Sequence, residues 1–324
     1  MTFGFRVYTF QTFKRKGRTP EDLSAIAADH ASTVAALLDA YRGEVLSGRP
    51  DYQDLRGEVP EASPGDYEIK IQSVDQVGLT VRCEVSFGKI GGHDDLLRRD
   101  GRSTSIVGDS ATRRFRVDLY YPRSGDEGIL VTEVRSRSAP VSDLLAWLRR
   151  FEALHFADDS SNVEYWRSIR IQTIADVDHL LALIKNARRT TVQFRSMGPP
   201  TARGRRPVKK GELEVTDVTS AQAAELVKEV VGWVEGNKKG AVARTASRVN
   251  LDLGKIRDGG MDVNRTTIRL EGDQPLSVSP DNVDDVFTYP LSKNLRLDGG
   301  SWRYRTVEKA RDLAKQEALD LEFE

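Results

Sequence analysis

Two-residue alternation constrains this chain more than any other feature of it. Tyr67, Ile69 and Ile71, then Leu79, Val81, Cys83, Val85 and Phe87, then Phe115, Val117, Leu119 and Tyr121 each set apolar side chains on one face of an extended segment. Phe3, Phe5 and Val7 begin the chain in the same way, and a strand from Ile129 to Ser136 returns after a turn over Pro122 to Gly128. Strands patterned on one face require a sheet with a layer packed over that face. Segments of helical period supply the layer. Thr19 offers an N-cap, with Pro20, Glu21 and Asp22 in the first turn and an apolar stripe through Leu23, Ile26, Ala27, Val34, Leu37 and Leu38 towards Gly43. Ser142 offers a cap for a helix carrying Leu144, Leu145, Trp147, Leu148 and Phe151. Further helices are expected near Val177 to Ile184, over Ser220 to Glu235 before Gly236-Asn237, and over Thr306 to Leu321. Short strands are expected at Ile169 to Thr173 and Val192 to Phe194, and around Leu251, Ile268 and Phe287.

The fold class this predicts is α+β, with mixed or antiparallel sheets flanked by helices. At 324 residues the chain is long enough for about two domains, each with its own core. The order β-β-α-β-α-β marks residues 111–220 as one compact domain, leaving 1–110 and 221–324 to form a discontinuous second one. Leu46 to Asp66, with Pro50, Pro60 and Pro64 and acids at 51, 54, 58, 61 and 66, reads as an exposed loop. The Gly-rich Gly91 to Ser110 reads as a loop or a boundary.

Cys83 is the single cysteine, which excludes an intrachain disulfide or a Cys-rich metal site and fits a reducing compartment. Apolar runs such as Leu180 to Ile184 are far shorter than the ~18 to 20 residues of a spanning helix, and Met1 to Arg6 has no signal-peptide pattern. A cytoplasmic protein without membrane insertion is expected. His30, His93, His155 and His179 lie too far apart for ligand spacing, so no metal or other cofactor is implied. Gly236-Asn237-Lys238-Lys239-Gly240 lacks the spacing and the following Ser or Thr of a phosphate loop. Asp118 and Glu133 fall opposite each other if their hairpin centres between Gly125 and Asp126, an arrangement that could hold Mg²⁺ in a nuclease of the PD-(D/E)xK type. Arg135 stands where that motif has Lys and is a poor proton acceptor. A register shift of two makes the same residues cross-strand ion pairs on a wet sheet face, and no catalytic role is assigned.

Charge is the remaining signal. Forty-nine Lys and Arg balance 49 Asp and Glu, but Lys185, Arg188, Arg189, Arg195, Arg203, Arg205, Arg206, Lys209 and Lys210 occupy a window free of acids. Lys14 to Arg18 is a second basic cluster, and Lys238, Lys239, Arg244 and Arg248 a third. Clustered cations that release counterions from phosphates bind a nucleic-acid backbone without reading bases. Gly198, Pro199, Pro200 and Gly204 would hold the loop 198–211 away from the core.

The strand Val131-Thr132-Glu133-Val134-Arg135-Ser136 leading through Ala139-Pro140-Val141 into Asp143-Leu144-Leu145 resembles the RexA-type phage exclusion proteins of temperate phages. Ile169-Arg170-Ile171, the helix of Asp178 to Ile184, the strand Val192 to Arg195 and Gly4-Phe5-Arg6-Val7-Tyr8 are similar as well. The resemblance implies a symmetric homodimer of two-domain subunits, related in architecture to the recombination-associated protein RdgC. It further implies binding of double-stranded DNA without marked sequence preference, and a prophage defence role beside a membrane-protein partner of the RexB kind.

Overall fold

A computed structural model describes residues 3–14, 17–51, 54–63, 65–91, 95–97, 103–105, 110–135, 138–156, 166–198, 209–216, 218–272, 275–292, 299–317 and 319. The fold is α+β and divides into two units, Met1–Ile171 with Tyr289–Glu324, and Gln172–Thr288.

The first unit runs β1 (Phe3–Lys14), α1 (Leu23–Ala40), β2 (Val45–Ser47), β3 (Tyr67–Val77), β4 (Thr80–Ile90), β5 (Asp95–Leu97), β6 (Ser103–Ser105), β7 (Ser110–Tyr120), β8 (Glu127–Arg135), α2 (Val141–His155) and β9 (Arg167–Thr173), whose end crosses into the second unit. The second holds α3 (Val177–Asn186), β10 (Arg189–Met197), β11 (Lys209–Val215), α4 (Ser220–Val234), α5 (Ala241–Arg248), α6 (Leu253–Asp258), β12 (Arg265–Glu271), β13 (Leu276–Val278) and a 3-10 turn at Val283–Phe287. The chain then re-enters the first unit with β14 (Tyr289–Pro290) and α7 (Gly299–Gln316).

The domain limits differ from the sequence expectation for a physical reason. β4 and β7 pair without a break from Thr80↔Tyr120 to Ile90↔Ser110, so Gly91 to Ser110 is an excursion within one sheet rather than a boundary. The limit at 220 is likewise absent, because β10 and β11 pair with each other and β10 also pairs with β12, which holds both sides of α4 in one unit.

The large sheet has the order β14-β1-β8-β7-β4-β3-β2, with β9 also on β1. One face carries Tyr8, Phe10, Cys83, Val85, Val117 and Leu119, which pack with α1 and α2 into a single core. Burial pushes the Cys83 thiol up to about 12, so it is an inert core group here. Gly128 stands opposite Phe10, and a Cβ there would come within 2.4 Å of the Phe10 ring, so only glycine fits. The other face is not wet as expected: α7 covers it, with Trp302 beneath the Arg116 guanidinium at 5.4 Å.

Three helix starts differ from expectation. Asp22, not Thr19, caps α1, its side chain accepting from the Ser24 amide at 2.9 Å, because the Glu21 amide is bonded to the Thr12 carbonyl at the end of β1. α2 opens after Pro140 with no side-chain cap, placing Ser142 within its first turn. α7 begins at Gly299 rather than Thr306. Around Leu251 the chain passes between two short helices, and Phe287 lies in the 3-10 turn, so neither position is a strand. Among the described residues no helix is long and apolar enough to cross a membrane.

Candidate nucleic-acid interface

The second unit's sheet has the order β11-β10-β12-β13. Val192, Phe194, Ile268, Leu270 and Val278 alternate onto the core side, beneath Leu226, Val230 and Trp233 of α4. The alternate row is polar, and in it Arg195 of β10 stands directly opposite Arg265 of β12. Residues so paired hold their Cβ atoms about 4.5–5.5 Å apart, where like charges are destabilising.

The expected cations fall into three groups. Lys185 in the last turn of α3, Arg188 and Arg189 at the entry to β10, and Lys238 and Lys239 before α5 are exposed. Of these, Lys185, Arg189, Lys238 and Lys239 form no ion pair among the described residues. Arg195, Arg244 and Arg248 are engaged internally. Arg195 donates to Glu212 at 2.7 Å and to Gln193 at 3.0 Å. Arg244 meets buried Glu229 at 2.9 Å, donates to the Lys239 carbonyl at 2.7 Å and reaches the Asn237 carbonyl, closing the turn before α5. Arg248 meets Glu225 at 2.5 Å. The third group is the projecting loop: Arg203, Arg205 and Arg206 lie outside the described residues, and Lys209 and Lys210 enter β11 with their side chains outside the description.

A cavity of about 510 Å³ opens at the Arg195–Arg265 end of the sheet. Its charged lining is Arg195, Lys238, Arg265 and Asp281, and Asn264, Ser277 and Ser279 add amide and hydroxyl groups. The start of α5 forms another wall, at Gly240 and Ala241. Gly240 is the N-cap in left-handed conformation (φ 75°) and offers no capping side chain. A helix start without a cap presents amide donors and positive potential. Thr266, 3% exposed, also lines the cavity, and its Oγ1 has no hydrogen-bond partner. Sequence reading found Arg195 and Lys238 but missed Arg265, Asn264 and Thr266. The available signal was the Gly236-to-Gly240 string, which lacks phosphate-loop spacing and yet leads into this helix start.

Asp118 and Glu133 do not face each other. Asp118 is opposite Val131, and the register carries Arg116 to Glu133, whose Oε2 accepts from the Arg116 amide at 3.1 Å. Arg116 also pairs with Glu84 at 3.3 Å, and Arg135 with Glu133 at 3.1 Å. The carboxylates thus belong to a charge ladder, but a buried one: Asp118 is 2% and Glu133 3% exposed. Burial pushes the Asp118 carboxyl up to about 6, against the attraction of Arg303 on α7 and of Arg82 across the strand pair, and Tyr120 donates its hydroxyl to it at 3.2 Å.

No protein-family model matches the sequence, and no curated protein matches it.

Proposed function

We propose that the second unit grips the phosphate backbone of double-stranded DNA without base readout. The observation that carries this reading is the opposed Arg195–Arg265 pair in a cavity that also takes in Lys238, the uncapped start of α5 and the unpartnered Thr266 hydroxyl. An anion seated there meets Lys238 and Arg265, which have no ion-pair partner among the described residues, while Arg195 stays engaged with Glu212. Lys239 next to Lys238, and Lys185 and Arg189 at the opposite end of β10, add exposed cations for further phosphates along the backbone. A prophage exclusion role, a homodimeric assembly and a membrane-protein partner rest on the resemblance of the strand-and-helix strings alone.

The test is retention of two unrelated duplexes over a salt series. The wild type binds both alike and weakens steeply with salt. Replacing Lys185, Arg189, Lys238 and Lys239 together by Ala reduces the log–log slope by up to ~3.6, at about 0.9 per phosphate contact, with thermal stability unchanged. No retention at low salt, or the same slope in the variant, removes the proposal.

A further inference from the structure

The first unit holds a second cavity of about 510 Å³ that the DNA-binding reading does not use. One wall is the segment that carries Arg49, Asp51 and Leu55, expected from sequence to be an exposed loop. It is instead fastened to α2: Arg150 donates to the carbonyls of Leu55 and Gly57, both at 2.7 Å, and Arg56 to that of Ala153 at 3.3 Å. Leu55 is buried as a result. The opposite wall is one face of α2, where Ser142, Leu145, Ala146 and Arg149 recur at helical spacing. β9 adds Ile169, Arg170 and Ile171.

Three arginines are among the residues that line this space, Arg49, Arg149 and Arg170, against the lining carboxylate Asp51 and the nearby Asp143, which faces the Arg49 charge, so the lining is cationic by excess. Arg149 is 9% exposed, and Arg170 lies over the Phe13 ring at 4.0 Å, so both are held in place before any ligand arrives. An excess of arginines suits a phosphate monoester, which carries about −1.5 to −2 at neutral pH. Guanidiniums bind such groups in a bidentate manner and stack on flat rings. Leu55, Leu145, Ala146, Ile169 and Ile171 give the rest of the cavity a hydrocarbon lining, which a bare inorganic anion would leave unused. The volume falls within the ~300–1,000 Å³ of small-ligand sites. We infer that this cavity binds a small organic phosphate of the nucleotide class, its phosphate on the arginines and its ring body on the apolar wall.

Calorimetric titration of the full chain with adenosine 5′-monophosphate, adenosine and inorganic phosphate tests the assignment. The monophosphate is expected to bind more tightly than either fragment, and the double variant Arg49→Gln with Arg170→Gln to bind it about tenfold or more weakly. Duplex retention should be unaltered in that variant, which separates this site from the proposed DNA surface. Ser142→Glu provides a second reading if the double variant does not fold. It places a carboxylate in the first turn of α2, where negative charge favours the helix, and it repels an anion in the cavity. Absence of monophosphate binding, equal binding of adenosine, or unchanged affinity in a folded variant overturns the inference.

Discussion

The two cavities have the same volume, about 510 Å³, and the same charged lining of three cations and one aspartate, yet the groups around those charges differ. In the first unit the remaining lining is mostly hydrocarbon, and the cations are all arginines, one buried and one held against an aromatic ring. In the second unit it is largely hydroxyl, amide and backbone, at a sheet end close to exposed lysines. Charge count therefore says only that each attracts an anion. The neutral groups select its body: an apolar wall suits a ligand that buries a ring, and a polar wall suits a chain of phosphates that stays hydrated. In the first unit, burial raises the pKa of Cys83, Asp118, Tyr121 and Asp143.

The largest expected effect breaks one unit and leaves the other. Trp233 of α4 is fully buried, and its indole N–H donates to Glu229 at 2.8 Å. Trp233→Ala removes the side chain and leaves Glu229 with a partner fewer, at a cost of about 3–5 kcal/mol. Thermal unfolding should resolve an early transition with loss of duplex retention, while adenosine monophosphate binding persists. Joint loss of both activities would show that the two units cannot be separated in function.

That separation was only partly legible in the sequence. The alternating strands were readable because a one-face core imposes period two, and β3, β4, β7 and β8 lie where it places them. The unit limits were not, because strand pairing between Ile90 and Ser110 joins positions separated by a Gly-rich segment that locally looks like a linker. The start of α1 was misplaced for a similar reason: the Gly125 carbonyl, distant in sequence, accepts from the Leu23 amide at 2.8 Å and makes Asp22 the last residue outside the helix. Of the residues proposed to meet DNA, clustering identified the lysines, but a linear window cannot distinguish the exposed Lys238 and Lys239 from Arg195 and Arg248, which are engaged with Glu212 and Glu225. Nor could it assign Arg49, Arg149 and Arg170 to one cavity, since they come from a loop, a helix and a strand.

A smaller effect tests the buried charge of the first unit. Asp118 has a folded pKa of about 6, above its ordinary value near 3.8, so the folded chain holds its proton more tightly than the unfolded one. The resulting stabilisation is fully present below about pH 4 and is lost as pH rises through 6, amounting to about 3 kcal/mol. Asp118→Asn lacks this dependence and keeps an acceptor for the Tyr120 hydroxyl. Urea midpoints at acid and neutral pH should therefore show the variant gaining on the wild type as pH rises. Parallel curves would mean that Arg303 and Arg82 already hold the carboxylate ionised.

The smallest effect separates two arginines of the second unit that sequence alone treats as equivalent. Arg248 spends its charge on Glu225, whose carboxyl is held below its ordinary range by Lys228 first and by Arg248 among the further causes. Replacing it by Ala removes an exposed ion pair, which contributes little, and should leave both the melting temperature and the salt slope of duplex binding unchanged. Arg265 is exposed, lines the cavity and faces Arg195 rather than a carboxylate. Arg265→Ala should reduce the slope by about 1 and, since Arg265 is exposed and forms no ion pair among the described residues, weaken DNA binding without loss of stability. If Arg248→Ala and Arg265→Ala lower the slope equally, net charge governs binding, and the geometry at the end of the β10–β12 pair has no special part in it.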